Sequence, residues 1–205
     1  MHLLRRNYSH WTPQYIADRL RLSVWERKHA NAPWLTSAAV EILSSLLKLD
    51  DRGLEFGAGR STVWFARRVN KLISIESDEN WYKKVQLLLE KAQLENVDLR
   101  LASADTYVCH AGHLPEESVD FILVDGEVRD RCSLVSLPKL KPNGIFILDN
   151  ANWYLPNTSR SPNSRRRKEG AASPDWDRFG EAVKHWRHIW TSNGVTDTAI
   201  FLKPA

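Results

Sequence analysis

A glycine-rich segment at residues 55–62, Glu-Phe-Gly-Ala-Gly-Arg-Ser-Thr, is the part of the sequence most suited to binding a small charged ligand. Gly57 and Gly59 permit a sharp turn and a close approach of the backbone to a ligand. The helix predicted to follow offers free N–H groups to an anionic group, and the hydroxyl of Ser61 adds a donor. Because Thr62 stands where a dinucleotide fingerprint has its third glycine, the pattern disfavours a nicotinamide or flavin cofactor. A tight turn without any ligand is the alternative.

Acidic residues stand at the ends of the apolar runs that are predicted as strands. Glu76 ends the second run, 19 residues after Gly57, and a carboxylate there is placed to accept hydrogen bonds from ribose hydroxyls. Asp105 follows the third run, where it either contacts an adenine amino group or is a plain loop acid. Ligands of open α/β sheets bind beyond the carboxyl ends of the strands. The acids expected to share that edge are Glu55, Glu76, Asp105, Asp125 and Asp149.

Short apolar runs alternate with helical patterns from residue 50 onwards, which predicts a mainly parallel sheet covered by helices on both faces. The predicted strands are Gly53–Phe56, Leu72–Ile75, Val97–Leu101, Val119–Val124, Ile145–Leu148 and an antiparallel hairpin of Trp186–Thr191 and Thr198–Lys203. The predicted helices span 13–30, 37–47, 61–69, 78–94, 128–140 and 174–183. A turn is expected at Pro142-Asn143-Gly144. Residues 151–173, rich in Asn, Ser, Pro and Arg, predict a long mobile loop.

The composition is that of one soluble globular domain. The 205 residues are 42% hydrophobic and 26% charged, which excludes collagen-like, wholly disordered and disulfide-scaffold proteins. No apolar run approaches the roughly 18 residues that cross a bilayer, and two cysteines form neither a disulfide framework nor a metal knuckle, so we expect a cytoplasmic protein. Residues 160–168 carry five bases and no acid, and this concentration of charge weighs against a broad nucleic-acid-binding face.

Together these features resemble the class I S-adenosylmethionine-dependent methyltransferases over about residues 50–203. The matching pieces are Glu55-x-Gly57-x-Gly59-x-Ser61-Thr62, Glu76, Val124-Asp125-Gly126 and Leu140-Lys141-Pro142-Asn143-Gly144. The resemblance implies a three-layer, doubly wound fold whose seven-stranded sheet has the order 3-2-1-4-5-7-6 and a C-terminal antiparallel hairpin. It also implies a division into an N-terminal helical lid, residues 1–49, and a Rossmann-like core, residues 50–205.

The resemblance further implies roles for the residues of the cofactor site. Glu55 and the backbone of Gly57 and Gly59 would hold the methionine end of S-adenosylmethionine, and Ser61 would reach its carboxylate. Glu76 would bind the ribose. Asp105 would lie at the adenine side.

The methyl acceptor is expected at a mouth formed by Asp125, Asp149 and the loop after Asn150. Within the class, the chain looks most like enzymes that methylate small molecules, here at oxygen. Trp34 and Trp153 are expected to line the acceptor pocket, because tryptophan offers a large rigid contact area with one polar handle.

Asp125, Asp149 and Asn150 are also similar to the set that binds magnesium in catechol-type O-methyltransferases. Oxygen ligands of this kind suit a hard divalent cation, which would lower the pKa of an acceptor hydroxyl. The sequence departs from that pattern, because Val128 stands where those enzymes place a lysine. Arg129 follows, and an arginine is a poor base. The alternative is that Asp125 contacts the cofactor while Asp149 and Asn150 form a turn.

Two other functions remain open. The basic loop at residues 160–168 could recruit RNA, which would make the protein an RNA methyltransferase. The same fold could also bind the cofactor without catalysis, since fold does not fix activity. The sequence does not indicate an oligomeric state.

Overall fold

Seven strands form one sheet in the computed structural model, which describes residues 11–103 and 106–205. The strands are β1 (Arg52–Phe56), β2 (Lys71–Glu76), β3 (Val97–Leu101), β4 (Val119–Val124), β5 (Leu140–Asp149), β6 (Arg187–Ser192) and β7 (Asp197–Leu202). Their order is β3-β2-β1-β4-β5-β7-β6. The first five strands run parallel, and β7 pairs antiparallel with both β5 and β6. The predicted fold class and strand order are therefore confirmed.

In the described part of the chain, seven α-helices connect and cover the strands. They are α1 (Pro13–Lys28), α2 (Ser37–Leu46), α3 (Arg60–Ala66), α4 (Glu79–Ala92), α5 (Cys109–Gly112), α6 (Arg129–Ser136) and α7 (Pro174–Val183). Short 3-10 turns occur at Leu137–Lys139, Ala151–Trp153 and Arg167–Glu169. Side chains accept hydrogen bonds from the first turns of α2, α4 and α7, where Thr36, Asp78 and Ser173 are the N-caps, as capping preferences predict.

Each face of the sheet has its own apolar core, because successive side chains of a strand point to opposite faces. Leu54, Ile122 and Phe146 pack on the face that carries α6 and α7. Phe121 and Ile147 pack on the opposite face with α2 and α3. The central strands thus bury both faces and leave their carboxyl ends for polar chemistry, whereas the edge strands β3 and β6 are largely half-buried or exposed.

β5 is longer than the sequence pattern predicts. It begins at Leu140, so the predicted turn at residues 142–144 lies inside the strand. The pairing with β4 jumps from Val119↔Leu140 to Phe121↔Ile145, and Asn143 takes a left-handed conformation with φ of 63°. The turn residues therefore form a bulge in the ladder, which a single-sequence pattern cannot distinguish from a strand boundary. The prediction also missed α5, which is only four residues long.

The segment at residues 151–173 is held by hydrogen bonds within itself and by one to β7. The Arg165 N–H donates to Asn152 O, and the Asn157 N–H donates to Arg165 O, both at 2.9 Å. Ser161 is buried and donates to the carboxylate of Asp197 in β7. Mobility of this segment stays a prediction, and these contacts oppose it.

The N-terminal helices differ in how they contact the core. Ala39, Val40 and Leu43 of α2 are buried in the core, whereas no residue of α1 is buried. The division at residue 49 and the lid role stay predictions, and residues 1–10 of the predicted lid lie outside the described part of the chain. Within residues 11–103 and 106–205, no helix combines the length and apolarity needed to cross a membrane.

Candidate active site

The glycine turn after β1 packs directly against the end of β4. Gly57 has a φ of +94°, and a Cβ at this position would lie 2.7 Å from the backbone N of Gly126 and 2.9 Å from the carbonyl carbon of Asp125. A Cβ at Gly59 would meet nothing closer than Trp81 Nε1 at 3.6 Å. Gly57 is thus required by backbone packing, whereas the space above Gly59 is open to a ligand.

Glu76, at the tip of β2, uses its carboxylate to fix the backbone around the turn. Its Oε2 accepts a hydrogen bond from the Ala58 N–H at 3.0 Å. Its Oε1 accepts from the N–H groups of Ser77 and Asp78 at 2.7 and 2.8 Å. Because a carboxylate has about four acceptor positions, Oε2 still has capacity for a hydroxyl donor.

Glu55 lies beneath the turn and is fully buried. Its Oε2 accepts hydrogen bonds from Thr62 Oγ1 at 2.6 Å and Ser74 Oγ at 2.5 Å. Thr62 Oγ1 in turn accepts from the Gly59 N–H at 2.8 Å. Burial raises the pKa of Glu55 to about 7, against hydrogen bonds from Ser61, Ser74 and Thr62 that lower it. The geometry gives Glu55 a supporting contact with the glycine turn through Thr62.

A cavity of about 390 Å³ lies above the turn. Its wall is formed by the turn, the tip of β2, the first turn of α4 and the end of β4; the lining residues are Trp34, Gly57–Ser61, Glu76–Asp78, Trp81 and Asp125–Glu127. The predicted residues Gly57, Gly59, Ser61, Glu76 and Asp125 therefore share one cavity. Glu55 lies behind its wall, and Asp105 falls outside the described residues.

An aromatic pair closes one side of this cavity. The rings of Trp34 and Trp81 stack with centroids 6.2 Å apart, and the Arg60 guanidinium lies 5.4 Å from the Trp34 ring centroid. Trp81 also donates from Nε1 to Ala58 O. Trp81 is not among the residues that the sequence predicts for the site. Its position three residues after the N-cap Asp78 is the missed signal, since helical side chains lean toward the N-terminus.

Asp125 and Asp149 lie at the ends of β4 and β5, close enough for the charge of Asp125 to act on Asp149. Asp149 is 4% exposed, and Thr198 Oγ1 donates to its Oδ1 at 3.0 Å. Burial raises the pKa of Asp149 well above its ordinary value, and the Asp125 carboxylate raises it further. Burial also raises the pKa of Asp125, while the Arg129 charge opposes that rise. Of the two, Asp125 lines the cavity.

Arg129 joins the ends of β4 and β5. Its Nε donates to Gly126 O at 2.8 Å. One terminal nitrogen donates to Asp149 O at 2.7 Å and to Asn150 Oδ1 at 3.0 Å. The other donates to Asp125 O at 2.7 Å and to Asp125 Oδ1 at 2.9 Å. All five N–H groups of the guanidinium therefore have acceptors.

The predicted magnesium ligands do not fit magnesium in this arrangement. The Asp125 Oδ1 and Asn150 Oδ1 atoms already bind the Arg129 cation, and the Asn150 amide donates to Thr196 Oγ1 at 2.6 Å. Within the described ranges, no group of three or more His, Cys, Asp or Glu side chains could hold a metal ion. These contacts of Arg129, which the sequence presents only as a poor base, were not predicted.

The predicted acceptor residues are not brought together. Trp34 lies in the wall of the cavity, while Trp153 follows Asn150 in the 3-10 turn after β5 and packs edge-on against Tyr154. A larger cavity of about 730 Å³ lies between α1, residues 156–160 and the β6–β7 turn, and Arg160, Arg167 and His188 contribute to its lining. This second cavity is separate from the one above the glycine turn, and its lining is more basic.

Residues 54–151 match a protein family described as a methyltransferase domain. No curated protein matches the chain. An O-methyltransferase from Bacillus cereus in complex with SAH has a similar structure, with a TM-score of 0.61 and 19% identity over 98% of this chain and 94% of that one.

A methyltransferase from Geobacter sulfurreducens gives a TM-score of 0.58 at 16% identity, over 95% and 90% of the two chains. An rRNA methylase from Streptococcus thermophilus gives 0.55 at 13% identity, over 80% and 93%. At these identities the solved structures establish the fold alone, and the family match covers residues 54–151, just under half of the 205 residues. The chain therefore has the Rossmann-like fold of these methyltransferase structures, and its residues 54–151 resemble a methyltransferase domain.

Proposed function

We propose that the protein transfers a methyl group from S-adenosylmethionine to an oxygen atom of a small-molecule acceptor. The observation that carries this proposal is the cavity in which an open glycine turn, the Glu76 carboxylate and Asp125 face one another. The methyltransferase family match supports the reaction class. The O-methyltransferase among the similar structures supports oxygen as the acceptor atom.

The residues around the cavity fit the functional groups of this cofactor. Oε2 of Glu76 has capacity for a ribose hydroxyl. Ser61 lines the cavity, where its hydroxyl would turn from Glu55 to donate to the methionine carboxylate. The open space above Gly59 admits the ligand close to the backbone. Glu55 would act from below, by holding Thr62 and hence the Gly59 N–H. Asp105 is proposed for the adenine side.

S-adenosylmethionine supplies, when bound, an electrophilic methyl group on a sulfonium. The chain's contribution is to hold an acceptor oxygen in line with that methyl, which lowers the barrier by positioning. Asp125 faces the cavity and would accept the proton of an acceptor hydroxyl, while Asp149 and Asn150 hold Asp125 and Arg129 in place. Trp153, next to Asn150, would form part of the acceptor wall.

The direct test combines binding with transfer. Isothermal titration with S-adenosylhomocysteine should give one site per chain, and labelled S-adenosylmethionine should pass label to a compound in a metabolite extract. Folded protein that shows no binding would rule out the proposed function. Tight binding without transfer to any acceptor pool would favour a non-catalytic cofactor-binding protein.

An RNA acceptor is the second candidate, because Arg160 and Arg167 face the larger cavity and an rRNA methylase is among the similar structures. Binding to phosphates releases counterions and falls steeply with salt. Arg160→Gln with Arg167→Gln should then weaken RNA binding and reduce its salt dependence. Arg165 is a poorer target, since its guanidinium donates to the Gly170 and Glu169 carbonyls and supports the loop.

A further inference from the structure

The acceptors around Arg129 are all oxygen atoms. They comprise three backbone carbonyls, one carboxylate and one side-chain amide. Oxygen sets of this composition are the ligands that hard divalent cations take in proteins. The cation at this position is instead covalently part of the chain, and its side chain is only 13% exposed.

We propose that the Arg129 guanidinium takes the place of a divalent cation at the carboxyl ends of β4 and β5, so that the chain positions Asp125 and Asn150 without a metal ion. A metal ion entering here would have to displace charge-assisted hydrogen bonds, which are stronger than neutral ones. It would also stand close to a fixed positive charge, and the two cations would repel each other.

The local backbone is arranged to deliver this side chain. Val128, the residue before α6, has a φ of 39° and a ψ of 45°. A β-branched residue in the left-handed region is a strained exception that persists where its surroundings over-determine it. The five hydrogen bonds of Arg129, the next residue, hold Val128 in this conformation. Arg129 also lies 5.8 Å from the ring centroid of Tyr154, which stacks on Trp176.

The arginine differs from a metal ion in what it does for Asp125. Its planar fork holds the carboxylate in a fixed orientation. It has no vacant coordination position for an acceptor hydroxyl. Arg129 is therefore a positioning residue, and it holds Asp125 through Oδ1.

Titration with MnCl2, followed by electron paramagnetic resonance of the free ion, tests this inference without any acceptor or methyl transfer. Wild-type protein should take up no stoichiometric Mn²⁺ at millimolar concentrations. Arg129→Met removes the charge but keeps most of the side-chain length. This variant should bind one Mn²⁺ per chain, at least about tenfold more tightly than any residual binding by wild type, because it frees the oxygens of Asp125 and Asn150. Adding Asp125→Asn to Arg129→Met should abolish that binding.

Arg131→Met is the matched control, because it removes the same charge from an exposed position on the same helix, and it should leave Mn²⁺ uptake as in wild type. Stoichiometric Mn²⁺ binding by wild type that is lost in Asp125→Asn would overturn the inference. So would a folded Arg129→Met that binds no Mn²⁺. If Arg129→Met does not fold, the wild-type and Asp125→Asn titrations decide the question by themselves.

Discussion

The two halves of the site satisfy backbone groups of opposite polarity. Around the glycine turn, the Glu76 carboxylate collects three backbone N–H groups. At the ends of β4 and β5, the Arg129 guanidinium collects three backbone carbonyls. Buried backbone groups need partners, so each half uses one charged side chain to gather those that its strand ends leave unpaired.

The two charged side chains therefore have different roles in the two halves of the site. An anion with remaining acceptor capacity suits a ligand that brings hydroxyl donors, which supports the cofactor role proposed for the Glu76 half. A guanidinium whose donors are all used has nothing left to give a ligand and serves to fix its neighbours. The Arg129 half, proposed to face the methyl acceptor and called the acceptor half below, therefore presents Asp125 to the cavity and keeps Arg129 behind it. The Glu76 half is called the cofactor half.

The largest effect is expected from the contact that joins the halves. Gly57→Ala would place a methyl group against the backbone of Asp125 and Gly126 at a positive φ, and backbone strain together with overpacking should cost about 3 kcal/mol or more of unfolding free energy. Gly59→Ala, which has room, should change stability by less than about 1 kcal/mol. Urea unfolding measures both, and equal losses would contradict the packing described.

The buried carboxyl group of Glu55, in the cofactor half, should make the stability of the protein depend on pH. The pKa of Glu55 lies at about 7 in the folded protein against 4.5 ordinarily, so the folded state binds more protons than the unfolded state between these values. The contribution of this group to stability is fully present below about pH 4.5 and is lost as the pH rises toward about 7.

Relative to Glu55→Gln, wild type should lose about 3 kcal/mol between pH 4.5 and pH 8. The amide keeps an oxygen to accept from Thr62 and Ser74, so the variant is expected to fold. Urea unfolding of both proteins across this range provides the comparison, and the difference cancels the other titrating groups. Parallel stability profiles would show that Glu55 does not carry the raised pKa.

The cofactor half could be predicted from sequence to a large extent, because its signals are local. Gly57 and Glu76 are placed by the turn and by the end of β2, and spacing along the chain brings them to one edge. The strand order also followed from the motif resemblance. The bulge in β5 could not be predicted, since a Pro-Asn-Gly sequence suits a turn and a bulge equally well.

The acceptor half could not be predicted in the same way. The contacts of Arg129 with Asp149 and Asn150 join residues about 20 positions apart, and they depend on the left-handed conformation of Val128. Neither feature has a pattern in the sequence. The interpretation of Asp125, Asp149 and Asn150 as metal ligands named three residues that Arg129 contacts, but it did not anticipate the guanidinium, which binds the backbone carbonyl of Asp149 and not its carboxylate.

Removing the charge of Glu76 should give the next largest effect, on the affinity for S-adenosylhomocysteine. Glu76→Gln leaves one oxygen and replaces the other with a donor, which faces either the Ala58 N–H or the N–H groups of Ser77 and Asp78. Loss of charged hydrogen bonds costs about 1.5–3 kcal/mol each, so affinity for S-adenosylhomocysteine should fall about 10- to 100-fold by titration calorimetry.

Glu79→Gln removes the same charge from the exposed ion pair with Lys83 and should leave this affinity unchanged. A similar loss of affinity in the two variants would indicate a general charge effect, and unchanged affinity in Glu76→Gln would remove Glu76 from the cofactor site. Glu76→Ala is less informative, because it leaves three backbone N–H groups without their acceptor and lowers stability as well.

The smallest expected effect is a difference in S-adenosylhomocysteine affinity between variants of Trp34 and Trp153, the two tryptophans that the sequence predicts for the acceptor pocket. Trp34 stacks on Trp81 in the cavity that carries Glu76, whereas Trp153 follows the Arg129-bound end of β5. Trp34→Ala should therefore weaken S-adenosylhomocysteine binding about fivefold, in line with about 1 kcal/mol for an aromatic contact. Trp153→Ala should leave that affinity unchanged and weaken acceptor binding. Each variant is the control for the other in calorimetry, and the reverse pattern would place the aromatic contact to the cofactor in the half that Arg129 organises.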